Sequence, residues 1–558
     1  MKMKAFSLAS IFLLLTTLPL TAQAQEPPQT PRINESYRGL MTPQVASAKL
    51  PALQHMHDYV ADGKLRLTLH DAILLSLENN SNVRIQETQV ESAKFALLGN
   101  YQPFDPILQS IFNVNRYSFP GDSQLQGVGI STASTLNTLT QSEQINYTQT
   151  FQTGTNVVIG LNGTRSSTNN QFYFFNPNYN TTLNFQFTQP LLRNAGFLAN
   201  RAPLIIARRT LQQSRATFEA EVSDTVLDVV NRYWAVVQAR GSLEVQRKSL
   251  ESADASYQRD KRALELGALP PLDIYRSESE VASRRVQMIQ TEYAVKQAED
   301  ALRLTIGANQ DEYFRALDLN LTEKPEPEGE LQAVDSAAIL QQALAQRPEF
   351  HATRYALAND DTSIRVAHNH LKPDLSVTGF YQSNGLGGNQ YDLNVIPPQL
   401  TSRGGLGSSF SQLFGFGYPG YGAQLTLNLP VKNRQAQAEL GNALVSRHRD
   451  QYSEQSLQEQ ITLEVSNAVH QLEEAKLTLS AGKAALDLAQ KALVAEQRKY
   501  ELGSQTIFFV LDAQTRLAQA QLDLLQAEIS YQVATASVGH AAGTLLAPYH
   551  VQIAELMH

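Results

Sequence analysis

The chain has 558 residues, 42% hydrophobic and 18% charged, a composition that excludes a disordered protein and permits a large buried core. Its 45 Lys and Arg against 53 Asp and Glu leave a net charge of −8, which argues against a nucleic-acid binder. There is no cysteine, so disulfides, thiolate metal ligands, a cysteine nucleophile and a lipid carried on an N-terminal cysteine are excluded.

The chain opens with Lys2 and Lys4, a charge-free apolar run over Ala5 to Leu20, and small residues at Ala22 and Ala24 before Gln25. Residues 1–24 read as an export signal. No later stretch of about 18 apolar residues follows, so no other helix is expected to span a bilayer. Any contact with a membrane core then has to be made by strands. Residues 25–66 are rich in Pro (Pro27, Pro28, Pro31, Pro43, Pro51) and read as an extended arm with little structure of its own. A helical pattern over 68–100 predicts Ala72, Ile73, Leu77, Phe95 and Leu98 as buried.

Between Tyr101 and Pro190 only five charges occur, at Asp105, Arg116, Asp122, Glu143 and Arg165. Leu183, Phe185 and Phe187 alternate with Asn184, Gln186 and Thr188, and Ile145, Tyr147 and Phe151 with Asn146, Thr148 and Thr150. Period-two alternation with so little charge suits strands that have lipid on one face and water on the other; a soluble β-sandwich also alternates, but keeps charge on its wet face. Residues 197–265 form one long helical pattern, with Val222, Val226, Val229, Tyr233, Val236 and Leu243 in a seven-residue repeat and Arg240 filling one seam position. A sustained heptad means helices packed along their length, here over roughly 100 Å at 1.5 Å per residue. Gly267-Ala268-Leu269-Pro270-Pro271 breaks that helix, a second one runs over 272–305, and 308–335 reads as a linker.

The plan then repeats. Residues 336–372 are helical, strands fall within 374–430, a long helix covers 434–502 and a last helix 507–545. Residues 384–422, rich in Gly and aromatics, read as a loop. Adding 236 carries Gly267 onto Gly503 and Gly307 onto Gly543 without a gap. The two repeats are 67–307 and 336–545, with a C-terminal tail at 546–558. In the last helix Leu517, Leu524, Tyr531 and Val538 alternate with Ala520, Ala527, Ala534 and Ala541, a seam for close helix approach. Four strands are secure, near 105–116, 181–189, 375–382 and 423–429. That is fewer than the eight of the smallest membrane barrel, so several chains must pool strands.

Here the sequence resembles the outer-membrane efflux protein family, the TolC-like outer-membrane factors. The resemblance covers about 67–545 and is carried by the duplication, the strand-Pro-long helix order in both halves, and the tip run Tyr500-Glu501-Leu502-Gly503-Ser504-Gln505-Thr506-Ile507-Phe508-Phe509-Val510-Leu511-Asp512-Ala513-Gln514. It implies an α+β membrane protein: a homotrimer with a shared outer-membrane β-barrel, a long periplasmic α-helical barrel of coiled-coil hairpins and a small mixed equatorial region. It implies a passive exit duct that extends into the periplasm and is gated by docking of a periplasmic adaptor, itself joined to an inner-membrane pump of RND or ABC type. The family's pore-constricting positions match Phe509 and Asp512. Its gate tie matches Tyr500 and Asp273, with Gln505 where the family has Arg; a neutral amide makes a weaker tie. The adaptor is expected at Gly267, Ala268, Leu269, Gly503, Ser504 and Thr506.

The first half is longer than the second, Asp105 to Pro190 spanning 86 residues against 57 for Asp374 to Pro430. The excess reads as a hairpin over 143–163 turning at Thr153-Gly154-Thr155. It either joins the barrel, for eighteen rather than twelve strands per trimer, or lies in an external loop. No nucleotide-binding, nucleophile-elbow or zinc-protease motif occurs, so no enzymatic activity, cofactor or resident metal is expected. His55 with His57 and His368 with His370 lack metal-ligand company, and Asp360-Asp361 reads as a solvated helix face. The competing readings are a stand-alone porin, which does not need the helical tube, and a periplasmic coiled-coil protein, which does not need the strands.

Overall fold

The computed structural model describes residues 53, 55–120, 135–266, 271–327, 334–395, 398–502 and 504–553. Residues 1–24, expected to be an export signal, lie outside them. In chain order the elements begin with β1 (Val60–Ala61), β2 (Lys64–Leu67), α1 (Leu69–Asn79) and α2 (Ser81–Gly99). β3 (Ile107–Pro120), β4 (Thr135–Thr150), β5 (Asn156–Thr168) and β6 (Phe175–Pro190) lead into α3 (Phe197–Glu265) and α4 (Pro271–Thr305). α5 (Glu312–Ala316), β7 (Asp318–Leu321), α6 (Ser336–Gln346) and α7 (Pro348–His370) connect to β8 (Asp374–Asp392), β9 (Gln399–Ser402), α8 (Leu406–Phe414) and β10 (Pro419–Asn428). α9 (Arg434–Glu501) and α10 (Ile507–Ala541) complete the fold.

The N-terminal region departs from its reading as a bare arm. A 3-10 turn at Met56–Tyr59 and the strands β1 and β2 occupy the last part of 25–66. β2 pairs in parallel with β7, Leu65 opposite Leu319 and Leu67 opposite Leu321. The partner comes from inside the segment read as a linker, some 250 residues away, a distance at which local pattern carries no pairing signal. The helical pattern over 68–100 forms two helices divided at Asn80, which closes α1 and caps α2 through Asn82 N. Thr68 and Asp71 start α1 with a reciprocal capping box. Phe95 and Leu98, expected to be buried, are 46% and 66% exposed, because that end of α2 lacks a covering element in this chain.

The large sheet runs β10-β8-β6-β5-β4-β3, with β9 added on β8. All its neighbours are antiparallel. The expected hairpin at 143–163 belongs to this sheet as part of a longer one, β4 and β5 pairing from Thr138↔Thr168 to Thr150↔Asn156. Its turn closes with Phe151 N on Thr155 O at 2.7 Å, and Gly154 takes φ +88°. Register places Tyr147, Ile159, Phe185 and Tyr381 on one face, and Asn146, Gly160, Asn184 and Gln382 on the other. The region read as a loop over 384–422 instead holds the end of β8, β9, α8 and the start of β10.

The heptad reading of α3 holds. Val222, Val226, Val229, Tyr233 and Val236 are buried against Leu302 and Ile306. Arg240, the polar residue in that seam, reaches Glu299 at 2.6 Å and the Leu319 carbonyl at 2.7 Å. A second core joins Ile461, Val465, Leu472 and Leu479 of α9 to Ala527, Tyr531, Ala534 and Val538 of α10. No helix among the described residues is long and apolar enough to cross a membrane.

Candidate gate at the hairpin tips

Each long helix turns back at one end, and the two turns carry the residues of interest. α9 stops where Leu502 N bonds Arg498 O, and Ser504 then folds back with both its N–H and its hydroxyl on the Lys499 carbonyl, at 3.0 and 2.9 Å. Thr506 stands extended before α10. Ile507, Val510 and Leu511 make a small core with Leu493 and Tyr500, which fixes the turn. Gly267, Ala268, Leu269 and Gly503 lie outside the described residues, as does the side chain of Asp273.

Tyr500 joins the two hairpins. The Arg259 guanidinium lies over its ring at 4.9 Å, and Arg259 Nε is 3.9 Å from Asp260 Oδ1. Asp260 is fully buried and accepts the Ser277 hydroxyl of α4. Burial, then the Asp260 charge, raise the Tyr500 phenol above its ordinary value, with Arg259 opposing. Gln505 Oε1 is buried and makes no hydrogen bond. An arginine therefore does reach the tip tyrosine, from position 259 rather than 505. Sequence reading missed the roles of Arg259, Asp260 and Ser277 because they lie on α3 and α4, far in sequence from the Tyr500 of α9 that they serve.

Phe509 is 44% exposed and stacks edge-on against Phe508 at 5.4 Å, while Arg276 lies over Phe508 at 5.6 Å. Asp512 is not a bare charge: Arg516 Nε meets its Oδ2 at 2.9 Å, four residues on. That spacing is visible in the sequence. Elsewhere Asp361 pairs with Arg447 at 2.8 Å. Asp360, read as a solvated acid, has its carboxyl raised to about 6 by burial and by the Asp450 charge.

The outer membrane efflux protein family model matches residues 156–308 and 339–544. Among curated proteins, the outer membrane efflux protein BepC of Brucella suis is 24% identical over 60% of this chain and 66% of its own length. The outer membrane protein TolC of Vibrio cholerae is 22% identical over 64% of this chain and 76% of its own. The chain thus spans just under two thirds of BepC. A solved membrane protein from Pseudomonas aeruginosa shares the fold with a TM-score of 0.60 at 16% identity, over 90% of this chain and 96% of that one.

Proposed function

The chain belongs to the outer membrane efflux protein family, and from that premise we propose that it is the outer-membrane exit duct of a tripartite efflux or type I secretion system. The carrying observation is one sheet whose outer strands, β10 and β3, have no further strand partner among the described residues, joined to helices of 69 and 68 residues. Open edges do not survive in lipid. Three copies close them when β10 of one protomer pairs with β3 of the next, giving eighteen strands around water. The same three copies pool their helical hairpins into a periplasmic tube, with β2 and β7 in the equatorial region. The matching lengths of α4 and α10, 35 residues each, support the internal duplication.

The apolar face of the sheet meets outer-membrane lipid, and the Asn, Gln and Thr face lines the pore. At the tip, Phe509 supplies an apolar constriction and Asp512 a ring of carboxylates. Tyr500, Asp273 and Gln505 belong to the closure, with Arg259 holding Tyr500. A periplasmic adaptor reads Gly267, Ala268, Leu269, Gly503, Ser504 and Thr506, and favours the open tip by its differential affinity for that state. An inner-membrane pump of RND or ABC type works through the adaptor. Cargo passes without chemistry.

Because the protein has no cysteine, Ser504→Cys carries a photo-crosslinker uniquely. Capture of a periplasmic adaptor in irradiated cells is the expected result. A well-exported trimer that captures only its own neighbours would overturn the duct reading in favour of a stand-alone porin.

A further inference from the structure

α8 turns Ser409 and Leu413, both fully buried, toward the sheet. Ser409 Oγ bonds Thr181 Oγ1 at 2.6 Å and donates to the Gly385 carbonyl at 3.0 Å. Gln412 Oε1 accepts Leu386 N at 3.0 Å, and the Leu413 carbonyl accepts the Ser383 hydroxyl at 2.7 Å. Its other side carries Phe410 and Phe414, stacked at 5.9 Å, with Phe414 59% exposed. Phe416, 47% exposed, follows and lies 6.2 Å from the Tyr381 ring.

The sheet is shaped for this helix. Register puts Thr181 opposite Gly385 and Leu183 opposite Ser383, on the face that carries Phe185 and Phe187 nearer the long helices. Where α8 sits, that face changes from large apolar residues to Thr181, Ser383, Gly385 and Gly387. A Cβ on Gly385 would strike the Ser409 carbonyl, and one on Gly387 the Gly405 carbonyl, so glycine lets the helix backbone touch the strand. β10 starts only at Pro419, and the backbone of β8 above it is met by the loop instead, Asn384 N by Tyr418 O and Leu386 N by Gln412. No edge donor is left to lipid at these two positions.

Height follows from strand length. β10 has ten residues, about what a tilted strand needs to cross the hydrocarbon core, and its far end leads into α9. α8 therefore lies one membrane thickness from the helices. We infer that α8 is an interfacial helix on the outside of the barrel, which seats Phe410, Phe414 and Phe416 at the headgroup-acyl boundary of the outer leaflet. It continues the lipid face upward where the strands no longer supply it. The inference rests on the assignment of the sheet faces proposed above.

The test uses single cysteines at Phe414→Cys, Leu425→Cys and Gln424→Cys, each labelled with bimane, in the full-length protein reconstituted into phosphatidylcholine vesicles. Brominated acyl chains should quench the emission at 414 and 425 and spare 424, with iodide acting in the opposite order. Phe416→Cys repeats the reading should the 414 variant assemble poorly. Lipid quenching at 425 with iodide quenching at 414 and 416 would overturn the interfacial helix alone. Lipid quenching at 424 and not 425 would overturn the face assignment and the helix with it.

Discussion

His540 of α10 is held between two carboxylates on other helices, and its removal makes a sharp prediction. Its Nε2 meets Asp224 Oδ1 of α3 at 2.7 Å and its Nδ1 meets Glu464 Oε1 of α9 at 3.0 Å. Glu464 also takes Arg347, which holds Glu349 at 2.8 Å. Four elements and the α6–α7 junction are thus tied through a ring that is 8% exposed. With a carboxylate on each nitrogen the ring is an imidazolium. Burial alone lowers its pKa, but the hydrogen bonds and charges of Asp224 and Glu464 outweigh this and lift it from 6.5 to about 9. A raised folded pKa means stability that is full below pH 6.5 and lost as pH rises through 9. At about 1.4 kcal/mol per unit the shift is worth about 3 kcal/mol. Asp224 and Glu464 are 59% and 41% exposed, so water screens part of this and about 2 kcal/mol remains per protomer. Thermal unfolding in detergent, followed by circular dichroism from pH 5.5 to 10 across the two values just cited, reads it. Wild type should exceed His540→Gln at the acid end and converge with it above the upper value. A gap that does not change with pH would refute the charged assignment.

Three further outcomes are expected. Leu472→Ala empties a fully buried position between α9 and α10 and should cost about 2–5 kcal/mol, read as a lowered unfolding temperature. Gly154→Val meets a left-handed φ of +88° and places its Cβ 2.6 Å from the Asn194 carbonyl. Backbone strain of about 1–2 kcal/mol adds to that clash, so the yield of heat-resistant assembly should fall, while Gly163→Ala, with open space around its Cβ, leaves it unchanged. Arg259→Ala removes the cation over Tyr500 and should lower the closing stability of the tip by about 0.5–1 kcal/mol. Tyr500→Phe, which keeps the ring, should open the channel less often than Arg259→Ala in single-channel records.

The sequence exposed what depends on local period. Both long helices, both return helices and the apolar seam of Val222 to Val236 follow from heptads and from the Gly and Pro that end them. The alternation at Leu183 to Thr188 likewise named the two faces of β6. What stayed hidden depends on distant partners. β2 is four residues long and finds β7 only in space. α8, nine residues with three serines, sits in a Gly-rich stretch whose glycines serve a helix packed on a strand rather than a flexible loop. The extra hairpin was visible as added length, and its place in the sheet needed the register. At the tip, Arg259 and Asp260 were unremarked because they lie in one hairpin and act on the other.

The same logic changes what Asp512 can do. The offset of 236 that superposes the hairpins puts Arg276 at the place of Asp512 and Glu280 at that of Arg516. The charges are exchanged, so only the second hairpin offers a carboxylate there. Arg276 is engaged with Phe508, and Arg516 partners Asp512 while remaining 75% exposed. An exposed pair four residues apart adds about 0.3–0.5 kcal/mol, so removing Arg516 leaves the fold intact and changes the field. In a trimer, three Asp512 beside three Arg516 sum to no net charge. In the proposed duct, Arg516→Ala would leave three bare carboxylates at the constriction. For a trivalent cation about 8 Å away, with water's dielectric and physiological screening, losing three positive charges strengthens binding roughly tenfold. Channel conductance titrated with such a cation should therefore show tighter block for Arg516→Ala and weaker block for Asp512→Asn, with Phe509→Ala raising basal conductance instead. If Arg516→Ala leaves the block where it was while Asp512→Asn relieves it, the two side chains do not share the constriction. If neither changes it, Asp512 does not face the pore.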